Sequence, residues 1–175
     1  MKRRFKFLPL ILVLNSFLGF GQSRKWSHDE KEMHRNLKSL CDYVVENKGR
    51  LSKDTLFQKY IYFDYILNDT LESRRDSRIK SFDTLFYPFR HYLDSIGLEN
   101  LDAKPIRFFK RSKIYKPFKN YELKKLTPDV FVYYFKSSPK VPRGTLFIDR
   151  KTKKLVAWIL INQGGYYYYL TFNLL

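Results

Sequence analysis

Residues 145–173 read TLFIDRKTKKLVAWILINQGGYYYYLTFN. The run is dense in β-branched and aromatic residues, and it is punctuated by DRKTKK at 149–154 and by NQGG at 162–165. Such residues suit the pleated, half-buried surface of a sheet, and short polar or glycine-bearing breaks between them read as hairpin turns. Strands are therefore expected at 145–150, 155–162 and 165–173, joined as consecutive hairpins. VFVYYF at 130–135 adds another strand upstream. Side chains alternate between faces along a strand. That alternation sends Tyr166, Tyr168, Leu170 and Phe172 to the core and leaves Tyr167 and Tyr169 half-exposed, as a platform for a ligand or partner.

Upstream of Gly97 the period is helical. Ser27 and Glu30 form a capping-box pattern, and Met33, Leu37, Leu40, Cys41, Val44 and Val45 then recur at helical spacing until Gly49. A second helix is expected after Ser52, with Leu56, Phe57, Tyr60 and Ile61 on one face and its end near Asn68 and Asp69. A third runs from Thr70 or Asp76 to Gly97 on a stripe that includes Ile79, Phe82, Phe86, Phe89 and Leu93. Pro88 falls inside it and is expected to kink or divide it. Residues 106–125 should add one or two less regular strands, with Pro105 and Pro117 favouring edge positions.

Helices first and strands afterwards give an α+β class: three N-terminal helices packed on one face of a C-terminal antiparallel sheet of about four to six strands. In element order and size this is similar to cystatin-like and NTF2-like small domains. The likeness rests on order alone, and fold order implies no function.

Lys2, Arg3, Arg4 and Lys6 precede the apolar run FLPLILVLNSFLGF at 7–20, and Gly19-Phe20-Gly21 follows as a small-x-small pattern. Pro9, Asn15 and Ser16 interrupt the run, which falls short of the ~20 apolar residues of a membrane span. The expectation is a secretory signal peptide at 1–21 and one domain at 22–175, exported to the periplasm or beyond. Its helical part is 22–103 and its strand-rich basic part 104–175. Richness in Lys, Asn, Ile, Phe and Tyr suits an AT-rich bacterial genome. Cys41 is the only cysteine, so no intramolecular disulfide staples the exported fold. It lies on the apolar stripe of the first helix, where a small buried side chain is expected rather than a nucleophile.

Charge is unevenly placed. Of the formal net +17, residues 22–103 contribute none, with fourteen Lys and Arg against fourteen Asp and Glu. Residues 104–175 carry sixteen against three. The densest stretch, RFFKRSKIYKPFKNYELKK at 107–125, holds eight basic residues, one acid and five aromatics. Such a field concentrates anions, and interleaved aromatics offer stacking surfaces. The candidate binding residues are Arg107, Lys110, Arg111, Lys113, Lys116 and Lys119 with Tyr115, joined by Tyr167 and Tyr169. Strand alternation equally permits the aromatics to face the core while the cations face water.

For an exported chain the expected partner is an anionic envelope polymer, such as lipopolysaccharide or an acidic glycan, or an acidic protein. No nucleic-acid motif of defined docking geometry is present. The other reading is a structural or protein-interaction domain of the envelope with no polyanion ligand. G-x-S-x-G, H-E-x-x-H and glycine-rich phosphate loops are absent, so no catalytic residue and no cofactor is expected. His34 and Cys41 are two helical turns apart, ~10 Å, too far for one zinc ion, and no metal site is expected. His28 and Glu32 read as a local pair at the helix start.

Overall fold

The structure, a computed structural model, describes residues 25–64 and 68–174. The expected signal peptide lies outside them. Helix α1 (His28–Glu46) opens on the expected capping box: Ser27 Oγ accepts from the Glu30 amide at 3.1 Å, and Glu30 Oε2 accepts from the Ser27 amide at 2.7 Å. Its buried face is Met33, Leu37, Leu40 and Val44.

Helix α2 (Lys53–Thr55), capped by Ser52, runs into a π-helical turn at Leu56–Tyr60 and stops there. The helix expected to run on to Asn68 is interrupted at 61–63. Ile61 is extended and bridges Leu155 in parallel, and the Tyr62 amide donates to the Leu155 carbonyl at 2.9 Å. Sheet bonding wins because Ile61 and Phe63 bury fully in that conformation. Helix α3 (Glu72–Ile96) is one element that continues through Pro88. The proline leaves the Thr84 carbonyl without its usual donor, but Thr84 and Pro88 are both exposed, a position where solvent can serve such a group. Gly97, at φ +79°, ends the helix.

Among the described residues, β1 (Leu101–Pro105), β2 (Val130–Phe135), β3 (Pro142–Ile148) and β4 (Leu155–Ala157) form an antiparallel sheet in that order. Strands β5 (Ile159–Gln163) and β6 (Tyr166–Leu170) form a separate antiparallel hairpin. LVAWILIN is thus two strands rather than one. The chain breaks at Trp158, so that β4 pairs with β3 and β5 with β6.

Residues 106–125 are not strands. They form 3-10 turns at Ile106–Phe109 and Lys113–Lys119 and a helical turn, α4 (Tyr121–Lys124). Strand β1 already ends at Pro105, and Pro117 has no amide to give a ladder. Ile106 and Phe109, three apart, are both buried, the spacing a 3-10 turn superimposes.

Alternation along β2 divides the interior. Phe131 and Tyr133 face the stripes of the helices, together with Leu146, Ile148, Leu155 and Phe172. Val130, Val132 and Tyr134 face Ile106, Phe109, Phe118, Leu123 and Tyr169. At the centre of the helix side the Phe82 ring lies 5.0 Å from Phe57, 5.4 Å from Phe63, 5.0 Å from Phe86 and 5.3 Å from Phe172.

The facing of β6 is the reverse of the expected one. Tyr169 is 6 % exposed, while Tyr166 is 80 % and Tyr168 43 % exposed. The break at Trp158 resets the hairpin, so Tyr169 packs on Phe147 at 5.4 Å. Phe172 reaches the helix side only beyond the strand, in the closing turn Phe172–Leu174. No helix among the described residues is long and apolar enough to cross a membrane.

Candidate functional site

Two places among the described residues have the makings of a site: the basic segment 106–125, which caps one face of the sheet, and a cavity beneath the helices on the other.

The cap is anchored from inside by Ile106, Phe109, Phe118 and Leu123. Arg107 adds a polar tie. Its Nε donates to Glu30 Oε1 at 2.6 Å, and its Nη2 donates to Glu30 Oε2 at 2.8 Å and to the Lys25 carbonyl at 2.6 Å. Glu30 is only 6 % exposed and also completes the capping box of α1. Burial pushes its pKa up, but the hydrogen bonds from Arg107 and Ser27 outweigh that and hold the carboxyl below its ordinary value. Arg107 therefore joins the start of α1 to the start of the cap.

Lys110, Arg111, Lys113, Lys116 and Lys119 are exposed, and none has an ion-pair partner among the described residues. The aromatics between them turn mostly inward. Phe109 and Phe118 are buried, Phe108 and Tyr115 half-buried, and Tyr121 is 71 % exposed with Lys125 Nζ 4.0 Å from its ring centre. Lys113, Lys116 and Lys119 stand on a 3-10 turn and Lys110 and Arg111 on the turn before it, not on a sheet face. Tyr167 is half-buried, its hydroxyl accepting from Asn162 Nδ2 at 3.3 Å, and Tyr169 lies beneath the cap with its ring 6.3 Å from Phe118.

The second place is a cavity of about 370 Å³ between α1, α3 and the helix-facing side of β1 to β3. Leu37, Cys41, Phe89, Leu93, Leu146 and Trp158 make much of its wall. Burial, with Asp42 adding to it, pushes the Cys41 thiol up to about 12, so it stays protonated and unreactive at neutral pH.

On the α1 side His34 Nε2 lies 3.3 Å from Asp102 Oδ1. Asp102 also accepts from the Tyr134 hydroxyl and from the Ala103 amide, each at 2.7 Å. Burial raises the Asp102 pKa, but these contacts together bring it down to about 2.

On the α3 side the Tyr92 and Tyr133 rings meet edge to face at 5.9 Å, and neither hydroxyl has a hydrogen-bond partner among the described residues. Burial raises both phenols' pKa, against the pull of Arg143. The phenol end of Tyr133 lies close against Gly144, where an added Cβ would fall 2.6 Å from the phenol oxygen.

Sequence reading missed this cavity because its walls come from residues 34–42, 89–103 and 133–158, which no motif spacing links.

The expected His28–Glu32 pair is present at 3.6 Å. With Asp29 these residues cluster their ligand-type atoms within 4.8 Å. The Lys153 ammonium lies 2.6 Å from Asp29 and 3.4 Å from Glu32, so the cluster already has an internal cation.

Comparison of the chain with family models, curated proteins and solved structures finds no match. The functional reading therefore rests on geometry.

Proposed function

We propose that this is an exported, non-enzymatic binding protein whose basic cap holds an anionic polymer of the cell envelope, such as lipopolysaccharide or an acidic glycan. The observation that carries the reading is the set of five exposed cations at 110–119, none with an acidic partner among the described residues, on a segment anchored from below by its own apolar residues. Anchoring sets the spacing of the charges in advance, so binding costs less ordering than it would on a mobile tail. Summed over five side chains, the field attracts polyanions, and each phosphate or sulfate contact releases counterions.

The inward turn of most cap aromatics narrows the ligand class. Stacking on bases or sugar rings needs exposed flat faces, and among the five cap aromatics only Tyr121 presents a largely open one. Recognition here is charge on charge, without a stacking platform. Tyr169, buried beneath the cap, is not part of this surface.

The test is binding to heparin and to lipopolysaccharide across a salt series, with Lys110, Arg111, Lys113 and Lys116 replaced together by Gln. The native protein should lose affinity steeply as salt rises, and the variant should bind roughly tenfold or more weakly with a flatter salt dependence. Retention of full affinity by the folded variant would sink the proposal.

A further inference from the structure

The cavity makes a second, independent case, since a polymer held on the cap does not fit a space of about 370 Å³. We infer that this cavity is a binding site for an amphipathic monocarboxylate, with its apolar chain against the leucine-lined wall and its carboxylate on the hydroxyls of Tyr92 and Tyr133.

The volume falls in the ~300–1,000 Å³ range of small-molecule sites. Leu37, Leu93, Leu98, Leu101 and Leu146 present hydrocarbon, which dictates an apolar body for the occupant. One end is different. Two half-buried phenols stand edge to face with no internal partner, and partly buried hydroxyls left in that state ordinarily meet water or a ligand. Their raised pKa keeps both as donors at neutral pH.

Positive charge is also present at this cavity. Lys136 lines the cavity and is exposed. Arg143, held 4.3 Å over the Phe135 ring, acts on both phenols. Two donors within the field of Arg143, in a cavity that Lys136 also lines, select an anionic head over a neutral one, because hydrogen bonds to an ionised acceptor are roughly twice as strong.

Asp42 lines the cavity from α1, one turn beyond Lys38, and disfavours a second negative group. Asp102 does not compete for the phenols, since His34, Tyr134 and the Ala103 amide already engage it. Gly144 completes the site: a Cβ there would fall 2.5 Å from the Tyr133 ring, so the ring could not keep its place.

The experiment is calorimetric titration of the full domain with dodecanoate, dodecanol and dodecylammonium, backed by the fluorescence of Trp158 in the cavity wall. Three variants accompany it: Tyr92→Phe with Tyr133→Phe, Lys136→Gln, and the four-residue cap variant. Dodecanoate should bind tightest. The double Phe variant should lose roughly tenfold or more for dodecanoate and little for dodecanol. Lys136→Gln, at an exposed position that leaves the fold intact, should also weaken dodecanoate alone, and the cap variant should bind it normally. The inference is overturned if no amphiphile binds, if all three bind equally, or if affinity follows the cap substitutions instead of the tyrosines.

Discussion

The two faces of the four-stranded sheet are covered in opposite ways. On one, α1 and α3 lay long apolar stripes across the strands, and the rings of Phe57, Phe63, Phe82, Phe86 and Phe172 close around one another. On the other, a few residues of the short 3-10 turns and one ion pair hold the cap down. The helix side carries no net charge by sequence, and the cap carries the densest positive charge in the chain. The contrast separates two tasks. Stability is concentrated where rings from distant segments meet. The cap, held by a handful of anchors, leaves its outer surface free to carry charge at little cost, because exposed cations keep their hydration.

The contrast is broken or sharpened by substitution. Phe82→Ala should have the largest effect, about 3–5 kcal/mol, since it empties the centre of the ring cluster. Denaturant unfolding measures it, and a loss below about 1 kcal/mol would mean that the helix side is not the principal core.

Arg107→Ala should come next, at about 2–3 kcal/mol, because it strands the buried Glu30 carboxylate. Arg111→Ala, four residues on and exposed, should stay within about 0.5 kcal/mol. Hydrogen exchange should show the Arg107 variant opening first at the cap amides. Equal losses at the two arginines would erase the distinction between anchor and surface.

The smallest effect is pH-dependent. Asp102 and Glu30 both have folded pKa values held below their ordinary ones, Asp102 at about 2. Groups shifted that way contribute stability that is complete above the unfolded carboxylate pKa and is lost as pH falls through the folded pKa. Unfolding followed from pH 7 down to pH 2 should therefore show stability draining away below about pH 4. Asp102→Asn should remove about 1 kcal/mol of that dependence, a modest share because the side chain is about a third exposed. An unchanged pH profile in the variant would show that the His34–Asp102–Tyr134 chain contributes nothing to the fold.

Several elements were legible because their signals are local. The capping box at Ser27 and Glu30 needs residues three apart, and the stripe from Met33 to Val44 needs one helical period. The alternation of VFVYYF shows directly in the two clusters that β2 separates. Other elements misled for a physical reason. Val156 and Ile159 are both good strand formers, so nothing local marks Trp158 as the point where the chain leaves one sheet for a hairpin. Residues 106–125 mix aromatics and cations too closely for period two to be told from period three. Tyr166 to Tyr169 are chemically identical, so only the register of β5 against β6 and the position of Phe147 decide which tyrosines are buried.

By itself the sequence determined the α+β class, the capped starts at Ser27 and Ser52, the main strand signals and the placement of net charge, because propensity, capping and charge act on single residues or near neighbours. Tertiary structure alone decided which cap residue is an anchor and where the cavity lies. Arg107 meets Glu30 across 77 residues, His34 meets Asp102 across 68, and Tyr133 from β2 meets Tyr92 from α3. Those pairs form only when packing brings distant segments together, and the free energy that selects them belongs to the assembled interior, not to any stretch of chain.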